Sequence, residues 1–281
     1  MGIWLPTSLA YSPDGSTAAI GLHREAIDAT TAGDGPRDRW GIGLIDWCRQ
    51  AVRTVISDRF HEGARLAFTP DGKTLISSHM GGILLLDPSS ERRTEIASDE
   101  LRTANGEPLP FVEHMVMPTH GDGILIGDDR WLVALDLATH KPNRSFRLGG
   151  DSLYALSSDP DGSTLVSAGR DHRVILRDGI TGAVRAILCG ENHGQDFHRV
   201  LDARFAGRQI ITAHLDRSVR FWDPDGRRLI RTVVLPIDDH WATISMRIAP
   251  DGGSVAVVGS VLEDGIRYEE PGCRVILVIR L

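Results

Sequence analysis

The sequence lacks the motifs that usually mark a catalytic centre. It has no GxSxG nucleophile turn, no HExxH zinc-binding helix and no Walker-type glycine loop. Its 11 histidines are scattered, and the densest group, with His193, Asp196 and His198, is interpreted as a connecting loop rather than a metal site. We therefore predict that the protein is not an enzyme and holds neither metal nor cofactor.

Cysteine and long apolar runs are also scarce. Cys48, Cys189 and Cys273 lie far apart without CxxC spacing, so the sequence signals neither a zinc ribbon nor a disulfide framework. No apolar stretch approaches the ~18 residues of a membrane span, and the N-terminus lacks the basic and apolar segments of a signal peptide. The formal net charge of −7 disfavours a generally basic nucleic-acid binder. These absences predict a soluble, cytoplasmic protein without membrane contact.

Glycine is abundant, with 30 residues in 281, and one glycine-containing turn recurs along the chain. In Pro-Asp-Gly, proline presets φ, aspartate bonds the local backbone and glycine accepts positive φ. The copies are SPDG, TPDG, DPDG and APDG, at residues 12–15, 69–72, 159–162 and 249–252. Each follows a short apolar run, so each predicts a tight connection between two β-strands.

Two further units carry altered turns, PTHGDG at 118–123 and FAGRQ at 205–209. The six first strands are predicted at 8–12, 65–69, 113–117, 154–158, 201–205 and 243–249. Third strands end in aspartate, and a weaker fourth run follows; these residues are Asp46, Asp87, Asp136, Asp178 and Asp223. We predict one all-β domain over 1–281 with about six four-stranded units. A β-sandwich or open meander is the alternative, and the repeat length disfavours it.

A period of ~40–45 residues, four strands and a terminal Trp-Asp-like pair are typical of WD40 propeller blades. The chain therefore resembles the WD40-repeat β-propeller family, most clearly at AHLDRSVRFWD, residues 213–223. The resemblance implies a buried hydrogen-bond network made of Asp216, Trp222, Thr212 and either His193 or His198. It also implies a non-catalytic interaction scaffold, or a subunit of a multiprotein complex, that binds one or more proteins.

The loops between second and third strands share one face of a propeller, and in five of the six units they carry basic or titratable side chains. We predict that partners bind this face, through His23, Arg24, His79, Arg130, Arg170, His172, His214 and Arg217. One alternative is that the same face contacts nucleic acid within a larger complex, although it lacks an aromatic stacking platform. A second alternative is a lactonase-like hydrolase, for which the inner strands supply only Glu113 and Asp202.

Two polar segments exceed the repeat length, at 23–39 and 97–110, and are predicted to be inserted loops. They are either partner-binding loops or tolerated insertions. The last unit ends with CRVILVIRL, 273–281, which is a third strand without a fourth. In WD40 proteins the N-terminal segment commonly supplies that strand, and residues 1–6 are the candidate here. Otherwise the strand edge is left open to another chain.

Overall fold

The computed structural model describes residues 3–25, 39–57, 65–79, 82–109, 112–118, 123–128, 130–148, 153–169, 173–188, 200–223, 225, 227–236, 241–248, 253–261 and 274–280. These residues form strands, turns and irregular segments, and none of them is helical. The all-β prediction is therefore confirmed. The chain divides into two compact units, Met1–Arg147 and Leu148–Leu281.

The first unit contains three four-stranded antiparallel sheets. The first sheet comprises β1 (Ile3–Tyr11), β2 (Thr17–Glu25), β3 (Arg39–Asp46) and β4 (Ala51–Ser57). The second comprises β5 (Arg65–Phe68), β6 (Leu75–His79), β7 (Gly82–Leu86) and β8 (Arg93–Ala97). The third comprises β9 (His114–Val116), β10 (Gly123–Gly127), β11 (Trp131–Asp136) and β12 (Pro142–Arg147).

The second unit contains the fourth, fifth and sixth sheets. The fourth comprises β13 (Leu153–Ser158), β14 (Thr164–Gly169), β15 (Val174–Asp178) and β16 (Val184–Leu188). The fifth comprises β17 (Val200–Ala206), β18 (Gln209–His214), β19 (Ser218–Trp222) and β20 (Leu229–Val234). The sixth comprises β21 (Trp241–Ile248), β22 (Ser254–Val261) and β23 (Arg274–Arg280), so its described part has three strands.

Sheets pack face to face within each unit, and the first strands of consecutive sheets lie side by side. Strand β18 illustrates how a sheet packs on both of its faces. Successive side chains on a strand point to opposite faces. Ile210 packs in a cluster with Val166 of the fourth sheet, whereas Ile211 packs with Met246 and Val255 of the sixth. Each fully buried side chain of this kind contributes about 1.5–3 kcal/mol. The hydrophobic core therefore lies between neighbouring sheets, as in propeller blades.

The Pro-Asp-Gly turns close the first hairpins as predicted. Gly15, Gly72 and Gly162 adopt φ of 70°, 70° and 73°, a region that glycine enters without steric cost. In each turn the residue before proline also accepts a backbone N–H at the start of the next strand. In the first turn, Ser12 Oγ accepts from Thr17 N at 2.9 Å. The turn at 249–252 lies outside the described residues.

The prediction for the N-terminal segment was wrong for its described part. Residues 3–6 extend β1 and pair with 22–25 of β2, so they lie in the first sheet and not in the sixth. A register shift between Pro6 and Ser8 lets the strand continue past the predicted start at residue 8. The expected four strands are observed in five sheets, and the sixth has three among the described residues.

The two predicted insertions have different outcomes. The ends of the segment 23–39 are strand residues, with Arg24 opposite Arg39 in the β2–β3 pair, and residues 26–38 lie outside the described part. The segment 97–109 is an ordered excursion closed by a bridge between Arg102 and Pro108. Leu101 and Leu109, 3% and 0% exposed, join the core between the second and third sheets.

Candidate functional site

A buried hydrogen-bond network links the two central strands of the fifth sheet. Trp222 Nε1 donates to Thr212 Oγ1 at 2.9 Å, and Thr212 Oγ1 lies 2.8 Å from His214 Nε2. Thr212 and His214 are two residues apart on β18, so their side chains share one face. The network therefore contains His214, which the sequence analysis had assigned to the binding face. His193 and His198, its predicted members, lie outside the described residues.

Asp216 completes this region by holding the loop between β18 and β19. Its Oδ1 accepts Ser218 N at 3.0 Å and Ser218 Oγ at 2.5 Å, and its Oδ2 accepts Arg220 Nη2 at 2.8 Å. Burial raises the pKa of the Asp216 carboxyl, but these hydrogen bonds and the nearby Arg220 and His214 lower it, and the pKa is lowered overall. These hydrogen bonds stabilise the β18–β19 loop and the ionised form of the Asp216 carboxyl.

The eight residues of the predicted binding face fall into different environments. His79 and His214 are buried, 7% and 2% exposed, because both are strand residues enclosed by the sheets. Neither can present its imidazole at a surface without a change in structure. His23 and Arg24 are paired residues of β2 rather than loop residues, and Arg170 and His172 lie outside the described part.

Two arginines of that set are described with accessible side chains. The Arg130 side chain is 70% exposed and lies 3.4 Å from the Asp128 carboxylate. Asp128 also accepts the backbone N–H groups of Arg130 and Trp131, at 2.8 and 2.7 Å, so it holds these two residues at the start of β11. Arg217 is partly exposed and adopts φ of 64° in the turn after His214.

The aspartates that end the third strands form a recurring turn that the sequence analysis did not interpret. In Asp136, Oδ1 accepts the backbone N–H of Ala138 and of Thr139, at 3.0 and 2.7 Å, and Asp178 repeats the pattern with Ile180 and Thr181. The hydrogen bonds from Thr139 lower the pKa of Asp136. A serine or threonine three residues after the aspartate was the available signal.

Comparison with known proteins identifies the repeat. Residues 141–178 match the family model for the WD domain, G-beta repeat. A chain in the crystal structure of the mitotic checkpoint complex superposes with a TM-score of 0.65 and 13% sequence identity. The match covers 92% of this chain and 74% of that chain. The structural likeness shows the fold, which is that of a WD40-like β-propeller. No curated protein sequence matches it.

The family match runs from β12 of the third sheet through β15 of the fourth, where arginine stands in place of tryptophan before the terminal aspartate. Arg177 is 6% exposed and donates hydrogen bonds to the carbonyls of Gly182 and Leu148. Burial lowers the pKa of this guanidinium. Arg177 thus connects the end of β15 to the turn before β16 and to the residue that precedes the blade.

Asp202 and Glu113, the carboxylates considered for a hydrolase, lie in different environments. Asp202 is 3% exposed, and its Oδ2 accepts Met246 N of the neighbouring first strand at 2.8 Å. Its Oδ1 accepts Ala203 N and Arg204 Nε, at 2.9 and 3.0 Å, so the group ties β17 to β21. Glu113 is exposed. Within the described ranges, no three histidine, cysteine or acidic side chains are placed to hold a metal ion.

None of the described residues forms a helix that would be long and apolar enough to cross a membrane.

Proposed function

We propose that this propeller is a non-catalytic scaffold that binds one or more protein partners. The observation that carries the proposal is that the side chains capable of acid–base chemistry form hydrogen bonds that hold the fold together. Asp216, His214 and Asp202 are all engaged in holding strands and loops together. The similarity to a chain of the mitotic checkpoint complex, a protein assembly, supports the same function.

The partner surface proposed here is the face formed by the loops between second and third strands. Arg130 supports it, because its guanidinium is largely exposed on a loop held by Asp128. With His79 and His214 buried, the proposal rests on Arg130, Arg170 and Arg217, and on Arg24, which lies near the end of β2 where the loop begins. Such a face would attract an anionic protein surface, and the attraction would weaken with added salt.

The test begins with affinity purification of the intact chain from its native cells, with and without nuclease, and identification of the co-purifying proteins. Binding of the purified partner is then measured for a variant with Arg24, Arg130, Arg170 and Arg217 all replaced by alanine. We expect weaker binding and a flatter salt dependence, because fewer charges meet across the interface.

A second variant, in which residues 26–38 are replaced by a short glycine-rich linker, separates the arginines from the long loop, because the linker lets Arg24 and Arg39 stay paired at the ends of β2 and β3. Normal binding by the four-arginine variant would exclude the basic face. Loss of binding with the deletion would then place the interface on the loop. Loss of co-purification after nuclease treatment would instead favour a nucleic-acid-contacting subunit.

A further inference from the structure

The fifth blade is basic although the protein is acidic. Residues 200–236 contain seven arginines and four aspartates, with no lysine and no glutamate, in a chain of net charge −7. Two of those aspartates are paired inside the blade, Asp202 with Arg204 at 3.0 Å and Asp216 with Arg220 at 2.8 Å. The remaining arginines therefore give this blade a local excess of positive charge.

Three of these arginines lie at one end of the sheet. Arg208 is in the two-residue turn between β17 and β18, and Arg227 and Arg228 immediately precede β20. The pairing of Ile210 with Trp222, and of Trp222 with Leu229, brings both turns to the same end. All three arginines are exposed, and they outnumber the two aspartates of the same turns, Asp223 and Asp225. The ion pairs found among the described residues include none of them.

The strand that starts at this basic end exposes apolar side chains. In β20, Leu229, Ile230 and Val234 are 36%, 49% and 66% exposed, and Arg231 and Thr232 between them are exposed as well. β20 is also the outer strand of its sheet, and proteins commonly protect such edges with charged or polar side chains. The outer strands β8 and β12 do so, since their exposed residues include Arg93, Glu95 and Asn143. Exposed apolar side chains on an edge strand mark an interaction surface.

The fourth blade shares only half of these features. Its outer strand exposes Val184 and Ile187, but the turns at the start of that strand carry Asp161, Thr181 and Gly182 rather than arginines. The combination of an apolar edge with a cluster of arginines distinguishes the fifth blade among the described turns and outer strands.

We propose that the outer edge of the fifth blade, formed by Arg208, Arg227, Arg228 and β20, binds an acidic, apolar segment of another protein. Carboxylates of the segment pair with the arginines, and its apolar side chains cover Leu229, Ile230 and Val234. An extended segment fits an open strand edge, where it can add backbone hydrogen bonds. A nucleic acid fits less well, because Phe221 and Trp222 are buried and cannot stack on bases. This surface is independent of the loop face proposed above.

The probe for the experiment is a short fluorescein-labelled peptide in which glutamate and valine alternate. Fluorescence anisotropy measures its binding to the intact protein at low and moderate salt. The comparison probes are a peptide of alternating lysine and valine and a single-stranded oligothymidine. We expect the Glu-Val peptide to bind, more weakly as salt rises, and the comparison probes to bind at least about tenfold more weakly.

Two variants test the two halves of the surface. Replacing Arg227 and Arg228 together by glutamate should weaken the Glu-Val peptide by about tenfold or more, because like charges then face the peptide. Ile230→Ser should weaken it without changing the salt dependence. Because these side chains are exposed, the variants should melt at nearly the same temperature as the parent protein, and melting curves check this.

The matched control is the same double substitution at Arg92 and Arg93 of the second blade. Arg92 accepts the Asp87 N–H through its carbonyl at 2.9 Å, as Arg228 accepts the Asp223 N–H at 3.0 Å, so the turns correspond. The control should bind the Glu-Val peptide like the parent protein, as should the four-arginine loop variant. The proposal is overturned by an equal loss in the control, by no binding of the Glu-Val peptide, or by stronger binding of oligothymidine.

Discussion

At the residue scale, Asp216 shows how a single side chain can stabilise a loop of this propeller. Its carboxylate accepts three hydrogen bonds from Ser218 and Arg220, and the Arg220 side chain is only 12% exposed. Removing the carboxylate takes an acceptor from a mostly buried cation. We expect Asp216→Ala to lower the free energy of unfolding by about 1–3 kcal/mol in chemical denaturation.

The control for this substitution is Asp225→Ala in the same blade, since Asp225 is exposed. Surface substitutions of this kind change stability by no more than ~0.5 kcal/mol. If both variants unfold at the same denaturant concentration, the assignment of Asp216 to a structural network is wrong.

Thr212 and His214 should be energetically coupled, because each supplies a buried partner to the other at 2.8 Å. Thr212→Val also removes the acceptor of Trp222 Nε1. In a double-mutant cycle with His214→Leu, we expect a coupling free energy of about 1 kcal/mol, within the range for residues in one network. Strictly additive effects on the free energy of unfolding would show that the contact contributes nothing.

Thr212 and Trp222 could be recognised from the sequence, but the histidine could not be chosen from family spacing alone. His193 and His198, the histidines implied by the resemblance, lie outside the described residues, so their part in the network stays a prediction. Among the described residues, His214 contacts Thr212, and its two-residue separation from Thr212 places both side chains on one face of a strand. The alternation of side chains along a strand could have predicted that His214 is buried beside Thr212 and is not part of the binding face.

At the element scale, the turns between third and fourth strands share one backbone position of positive φ. Four residues after the terminal aspartate, Gln50, Glu91, His140 and Gly182 adopt φ of 50°, 59°, 58° and 73°. The left-handed region costs a non-glycine residue roughly 1–2 kcal/mol. The fourth blade alone among these turns uses glycine.

His140→Gly should therefore stabilise the protein. His140 is exposed, and its backbone N–H donates to the Asp136 carbonyl at 2.9 Å, a bond that glycine keeps. The free energy gained by removing the backbone strain exceeds the entropic cost of ordering a more flexible glycine. We therefore expect a gain of about 0.5–1 kcal/mol in the free energy of unfolding. The reverse change, Gly182→Ala, should destabilise the protein, and a loss of stability in His140→Gly would contradict the argument.

The excursion at 97–109 should contribute to stability through its two leucines. Leu109 is fully buried in the core between the second and third sheets, so Leu109→Ala should cost about 2–5 kcal/mol in chemical denaturation. Glu107→Ala, at the exposed tip, should cost little. Similar small effects for both would mean that the segment does not pack as the structure has it.

This excursion also shows what repeat length can and cannot predict. An excess over the blade period correctly located extra residues between the second and third blades. It could not distinguish a loose loop from a packed one, because burial of Leu101 and Leu109 depends on the neighbouring sheet. Two apolar residues in a polar segment were the only local indication.

At the scale of the whole molecule, local turn chemistry predicted the fold well. The Pro-Asp-Gly turns and the strand-ending aspartates placed the first strands within a few residues of their observed positions. The outer strands and the chain ends were harder, because strand pairing depends on distant partners rather than on local sequence. The assignment of residues 3–6 failed for this reason. An extended segment can pair equally well with the last strand, as predicted, or with β2, as observed.

Acid should destabilise the molecule through its turns. Hydrogen bonds lower the pKa of Asp14, Asp71, Asp87, Asp136, Asp178 and Asp216 below the ordinary aspartate value of 3.8. A group whose pKa is lower in the folded than in the unfolded protein stabilises the fold at every pH above its unfolded pKa. That contribution is lost as the pH falls through the folded pKa, because the unfolded chain then binds more protons.

We therefore expect Tm to depend little on these groups between pH 7 and pH 5 and to fall below about pH 4. Replacing Asp87 and Asp178 together by asparagine should lower Tm at neutral pH and make the acid decline shallower, because two of the titrating groups are gone. Asp225→Asn is the control, since Asp225 accepts no hydrogen bond from the described residues. Calorimetric melting from pH 7 to pH 3 measures all three proteins, and parallel acid declines would show that the turn aspartates do not set the acid limit of stability.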